Sequence, residues 1–278
     1  LEYIHYIQQF RNPHLDAFFK FLDFFDRQEF FFILIPLIWL GVGWKSGLRL
    51  FYILFFSALS NQALKAIFAE PRPFILDPSV GIIHVSGYSF PSGAAQTAVL
   101  LAGILIVSWK NPWKWPLAIS YFLLISFSRV YLGVHYPQDI IGGWLIGALL
   151  LLFYIYLYPI IEEKLEKWSS TTLFLASQFP LVFLWGIYTP VTIVTCSFAI
   201  ALGWGVWIDH FYGLLLTSPK NNIESILRAS VGILGMFGCY SLTLLFPDTS
   251  LFLFIRFFLL GLWISVGSHF VCRVFRRF

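Results

Sequence analysis

Apolar residues come in long unbroken runs along this chain, and polar residues gather in the short stretches between them. A helix needs about 20 mostly apolar residues to cross the hydrocarbon core of a bilayer. Runs near that length fall at 28–44, 48–69, 91–109, 115–133, 138–159, 172–188, 190–208, 228–247 and 250–271, which predicts about nine transmembrane helices. Ahead of them, Glu2, Arg11, Asp16, Lys20 and Asp23 lie among aromatic residues. That pattern fits amphipathic helices at the interface and not a secretory signal. The first residue is Leu1 rather than Met, as a trimmed start would give. The expected fold is all-α, a polytopic integral membrane helical bundle. Interfacial helices occupy 1–27, a five-span core 28–160 and a four-span extension 161–278.

The loops give the bundle a direction. Lys45 and Arg49 follow the first run, Lys110 and Lys114 the third, and Lys164 and Lys167 the fifth. Lys220 and Arg228 lie around the loop after the seventh run, and Arg273, Arg276 and Arg277 close the chain. Nine crossings put all of these on one side, and basic loops mark the cytoplasm. The N-terminus and the loops near 70–90 and 134–137 then face outward, toward the periplasm if the membrane is a bacterial inner membrane. Composition agrees: 59% of residues are hydrophobic and 12% charged, about half the charged share of a soluble domain. Such a surface has to meet lipid. A net charge of +4 carried in scattered pairs argues against a nucleic-acid partner. Cys196, Cys239 and Cys272 sit in or beside apolar runs without metal-ligand spacing and read as small buried hydrophobes.

Three segments place polar groups where lipid should exclude them. Lys65 to Pro73 ends the second run, Phe90-Pro91-Ser92-Gly93-Ala94 opens the third, and Ser128 to Asp139 bridges the fourth and fifth. Singly, each has an ordinary explanation. Lys65 and Arg72 can snorkel to headgroups, Ser92 can cap a helix, and His135 with Asp139 can be an interfacial pair. Together they outline a phosphate site on the outer face: three cations, a helix N-terminus and a histidine with a carboxylate in reach. His84, Tyr88, Asp77 and Glu70 in the outer loop are further candidates for substrate contact, and Asn61 and Gln62 for orienting Lys65. Asp209 and His210 fall on the cytoplasmic side, and Arg256, inside the last run, needs a partner there.

The order Lys65, six residues, Arg72-Pro73, then Pro91-Ser92-Gly93, then Ser128-Arg129, five residues, His135, three residues, Asp139 resembles the type 2 phosphatidic acid phosphatase superfamily. The likeness covers residues 61–143 and, in outline, the front five spans; nine spans with an outward N-terminus look like its glucose-6-phosphatase branch. The resemblance implies that Lys65, Arg72 and Arg129 clamp phosphoryl oxygens together with Ser92 and the Gly93 N–H. His135 would be the nucleophile of a phosphohistidine intermediate, oriented by Asp139, with neither metal nor cofactor. It implies a phosphorylated lipid as substrate, a phosphate monoester or pyrophosphate. A small sugar phosphate remains open, as does a lipid-phosphate binding or transport protein without turnover.

One position departs. The family's second motif reads Pro-Ser-Gly-His, and here the fourth residue is Ala94. That histidine protonates the leaving oxygen and then activates water, work typically contributing about 10²–10⁴-fold in rate. The chain is expected to be badly impaired with its phosphate cradle intact, as an inactivating replacement made to trap substrate would leave it. A naturally non-catalytic relative and rescue by His84 are the other readings.

Overall fold

Backbone N–H and C=O groups must be satisfied within the chain wherever lipid replaces water, which favours helices. The computed structural model describes residues 1–275 and is helical, with no strand among them. Arg276 and Arg277 of the charge pattern lie outside the described residues. Two short helices lead, α1 (Glu2–Gln8) and α2 (Pro13–Leu22), followed by a 3-10 turn at Asp23–Asp26. Asn12 starts α2, its side-chain Oδ1 accepting the N–H groups of His14 and Leu15 at 3.1 and 3.0 Å. Then come α3 (Gln28–Gly41), α4 (Trp44–Phe68) and the single turn α5 (Pro73–Leu76). Next are α6 (Gly93–Ser108), α7 (Lys114–Tyr131) and α8 (Pro137–Leu152), which runs through a π-turn into α9 (Tyr158–Leu165). The chain continues with α10 (Ser170–Ala176), α11 (Leu181–Gly186), α12 (Pro190–Tyr212) and α13 (Asn222–Thr243). Last comes α14 (Ser250–Leu262), which passes through a second π-turn into α15 (Ser268–Phe275).

Among the described residues, five segments are long and apolar enough to cross a membrane: Trp44–Leu76, Pro137–Leu165, Pro190–Tyr212, Asn222–Thr243 and Ser250–Phe275. Helices α3 and α6 are apolar but shorter, 14 and 16 residues. The apolar run at 172–188 is not one helix. It forms α10 and α11, of 7 and 6 residues. Pro180 lies at the break; it lacks an N–H and disfavours helix in the residue before it.

The helices gather into two compact units. The first is Leu1–Phe30 with Leu59–Ile160, and the second is Phe31–Ala58 with the chain from Ile161 on. In the first, α6 packs on α7 and α8. Its core holds Phe19, Leu22, Phe74, Ala94, Ala98, Ile125, Tyr131, Leu132 and Val134. In the second, α12 packs on α14. There Lys45 and Arg49 pair with Glu166 and Glu162 at 2.7 and 2.5 Å, bringing the start of α4 beside the end of α9. Arg256 finds its partners in the Thr243 carbonyl at 3.2 Å and Asp248 at 3.4 Å, with its guanidinium 5.7 Å from the Tyr240 ring centre. Asp209 accepts the Leu215 N–H at 2.6 Å, a loop-closing bond.

Candidate active site

Four helix ends of the first unit carry the polar segments. They are the C-terminal turn of α4 with Lys65, the N-terminus of α6 behind Ser92, the C-terminal turn of α7 with Arg129, and the N-terminus of α8 with Asp139. Helices α6 and α8 approach closely because Gly143 has no side chain. A Cβ there would stand 2.5 Å from the Ser92 carbonyl oxygen. In return the Ser92 N–H donates to the Asp139 carbonyl at 3.0 Å. Gly133 turns the chain between α7 and His135 with φ +72°, and a Cβ there would lie 2.0 Å from the Val80 carbonyl oxygen.

His135 is buried, 4% exposed. Its Nδ1 lies 3.3 Å from Asp139 Oδ2, and its Nε2 lies 3.1 Å from Arg72 Nη1. A guanidinium only donates. Nε2 therefore carries the lone pair and Nδ1 the proton, the tautomer in which Nε2 is nucleophilic. Asp139 is held in turn. Its Oδ2 accepts the Ser89 hydroxyl at 2.5 Å and the Tyr136 N–H at 2.8 Å, while its buried Oδ1 has no partner. Burial, then the charges of Arg72, Lys65 and Arg129, hold the His135 imidazole well below its ordinary pKa.

Arg72 is fixed by backbone. Its Nε donates to Gly87 O at 2.9 Å, Nη2 to Ser86 O at 3.0 Å and Nη1 to Val134 O at 3.0 Å. The ammonium of Lys65 has no hydrogen-bond partner among the described residues, and neither have the Gly93 and Ala94 N–H groups, whose orphaning follows from their place in the first turn of α6. Lys65 and Arg72 both act electrostatically on His135, and with these two N–H groups they are the candidate phosphate cradle. No group of three His, Cys, Asp or Glu able to hold a metal ion occurs among the described residues.

Arg129 takes a position that the sequence does not foretell. It is buried, with Nη1 2.8 Å from Asp23 Oδ1 and 3.6 Å from Asp26 Oδ2, and its Nε donates to the Ser128 hydroxyl at 3.1 Å. Only Nη2, buried and without a partner, is left for a ligand. Burial opposes ionisation of Asp23, but Arg129 and Arg27 prevail and hold its carboxyl below the usual range. The N-terminal turn thus brings two carboxyl groups beside Arg129. Their only sequence signal is a pair of charges, Asp23 and Asp26, flanking Phe24-Phe25 in an aromatic stretch.

The structure also places the remaining candidates. Ala94 is 3% exposed and belongs to the buried cluster that also holds Phe19, Leu22 and Phe74. The His84 ring packs edge-on against Phe74 at 4.9 Å, and Asp77 binds His5 and Ser79. Asn61 does not orient Lys65; its amide donates to Pro91 O at 3.2 Å and to Gln96 Oε1 at 3.1 Å, bracing the start of α6. Ser89 and Gln96 join the site's hydrogen bonds although no motif marks them.

Residues 46–163 match the family described as PAP2 superfamily, and residues 193–276 match the PAP2 superfamily phosphatase, transmembrane extension. The chain is similar to an undecaprenyl-diphosphatase of Sulfolobus acidocaldarius, 34% identical over 112 residues, covering 37% of this chain and 51% of that protein. It is also similar to sphingosine-1-phosphate phosphatase 2 of Homo sapiens, 24% identical over 245 residues, covering 80% and 59%. Among solved structures, LpxE of Aquifex aeolicus is 26% identical with a TM-score of 0.46, covering 55% of this chain and 93% of that one. The chain spans about half the length of the curated relatives it matches.

Proposed function

Because the chain belongs to the PAP2 (type 2 phosphatidic acid phosphatase) superfamily, we propose that it is a membrane phosphatase. It takes the phosphoryl group from a lipid phosphate monoester or diphosphate onto His135 and then passes it to water. The observation that carries this reading is the relay Ser89–Asp139–His135–Arg72, which fixes the proton on Nδ1 and leaves Nε2 facing the cradle.

The steps follow from that geometry. A phosphoryl group entering the cradle takes over the Arg72 hydrogen bond that Nε2 now accepts. Its oxygens are met by Arg72, Lys65, the Gly93 and Ala94 N–H groups and Arg129 Nη2, and charge-assisted bonds of this kind contribute about 1.5–3 kcal/mol each. Nε2 then attacks phosphorus, and Asp139 stabilises the imidazolium that forms. Charge neutralisation comes from side chains and helix amides, so turnover needs no added metal. Ala94 leaves position 94 without a proton carrier, and an alkoxide leaving group suffers most from that. A phosphate leaving from a diphosphate suffers least. A lipid substrate fits the relatives, whose names describe diphosphatases and phosphatases of lipids. In this reading the chain crosses a bacterial inner membrane nine times, with the site on the periplasmic side.

The test is phosphate release by the full chain in detergent, with a long-chain lipid phosphate, its diphosphate, a sugar phosphate and p-nitrophenyl phosphate as substrates. Release that persists in chelator and disappears in His135→Ala is expected. Phosphate or vanadate binding without any release above the His135→Ala background would replace the enzyme with a binding protein.

A further inference from the structure

The site has a nucleophile but, at position 94, no group that can hand a proton to a departing alkoxide. Among the described residues beside the cradle, Asp26 is a carboxyl that is only loosely held. Asp139 is engaged three times through Oδ2. Asp23 is bound by Arg129 at 2.8 Å and Arg27 at 2.7 Å. Asp26 has only the loose contact with Arg129 Nη1, at 3.6 Å, and its side chain is 36% exposed, open to proton exchange with water. The turn that carries it packs on α6 and on α7, beside the helix that begins at Ser92 and the one that ends with Arg129.

Resting on the phosphatase reading, we infer that Asp26 is the site's general acid and base, delivered by the N-terminal turn in place of a residue at 94. The same three cations, Lys65, Arg72 and Arg129, act on both His135 and Asp26, and Asp26 lies 3.6 Å from Arg129 Nη1. In the first step the Nε2 lone pair bonds to phosphorus as the bond to the leaving oxygen breaks, and the Asp26 proton moves to that oxygen. The products are an alcohol, a phosphohistidine with its imidazolium charge, and an Asp26 carboxylate. In the second step that carboxylate takes a proton from water, whose oxygen bonds to phosphorus as the P–Nε2 bond breaks. Phosphate, neutral His135 and protonated Asp26 are regenerated.

The carboxyl is suited to the task. Partial burial pushes its pKa up, and so does the charge of Asp23 in the same turn, against the opposing pull of Arg129, Lys65 and Arg72. Tyr121 of α7 also faces it. A bound phosphoryl dianion screens those cations and favours the protonated acid further.

The experiment compares the full chain with Asp26→Asn and Asp26→Glu on an alkyl phosphate and on p-nitrophenyl phosphate, each across pH, with vanadate binding as the control for an intact site. Asp26→Asn should lower kcat on the alkyl ester by about 100-fold or more and on the aryl ester by less than about 10-fold, with vanadate still bound. The fall in alkyl-ester rate as pH rises should disappear in Asp26→Asn, and in Asp26→Glu it should return at a shifted pH. An unchanged alkyl-to-aryl ratio in Asp26→Asn overturns the inference and leaves the phosphatase reading standing. If Asp26→Asn loses vanadate, an Asp26→Glu profile that coincides with that of the parent overturns it as well. Absence of His135-dependent turnover on both esters overturns the two together.

Discussion

Arg129 lies under the cradle with Nη1 on Asp23 and Nη2 without a partner. Its removal therefore acts twice. Arg129→Ala should lower stability by up to about 3 kcal/mol, because it strands the buried Asp23 carboxylate with the exposed Arg27 alone. It should also abolish phosphate binding. Thermal unfolding and vanadate titration of Arg129→Ala with Asp23→Ala separate the two effects: stability should largely return, and binding should not. Recovery of both would mean that Nη2 does not reach the ligand. His135 offers a pH test. Its folded pKa lies below the unfolded value of about 6.5. On acidification the unfolded chain takes up a proton that the folded chain refuses. Stability is then lost as pH falls below about 6.5, with a limiting slope near 1.4 kcal/mol per pH unit. The melting temperature of His135→Gln should fall less between pH 7 and pH 5 than that of the parent. Equal falls would show that the imidazole is protonated in the folded protein.

At the scale of elements, the site depends on how close α8 comes to the start of α6. Gly143→Ala places a Cβ against the Ser92 backbone, which cannot swing aside as a side chain would. Overpacking of this kind costs about 1–3 kcal/mol. The variant should lose both stability and vanadate affinity, and a Gly143→Ala protein that binds vanadate like the parent would show that this approach does not set the cradle. Position 94 is governed by α2. Because Phe19 and Leu22 share its cluster, the Ala94→His imidazole has to repack that cluster before it can reach the phosphoryl group. The expected result is a lower melting temperature, with activity gained chiefly on alkyl esters. A gain without thermal cost would show that the cluster leaves room.

For the whole molecule the open quantity is topology. The ion pairs of Lys45 and Arg49 with Glu166 and Glu162 tie the start of α4 to the end of α9. In the proposed topology both regions lie on the cytoplasmic side. A cysteine introduced between 76 and 86 should react with a membrane-impermeant reagent from outside, and a tag after the last residue should be reached only from the cytoplasm. Reaction of both from one side would remove the nine-crossing arrangement.

The sequence by itself determined the class of fold, because a chain with 12% charged residues and long apolar runs can satisfy its backbone in lipid only as helices. It also marked Lys65, Arg72, Ser92, Gly93, Arg129, His135 and Asp139, since charged and helix-starting residues stand out against apolar runs. Tertiary structure brought these segments to one end of the first unit, and long-range packing decided the rest. Hydropathy does not register the turn at Pro180, so 172–188 reads as one span and folds as two helices. Ser89 and Gln96 are ordinary polar residues until the chain brings them beside Asp139 and Asn61. Asp23 and Asp26 lie more than a hundred residues before Arg129, and no local periodicity links them. The pairing arises from the packing of α2 and its following turn on α7, where a buried guanidinium requires a carboxylate and the fold supplies one.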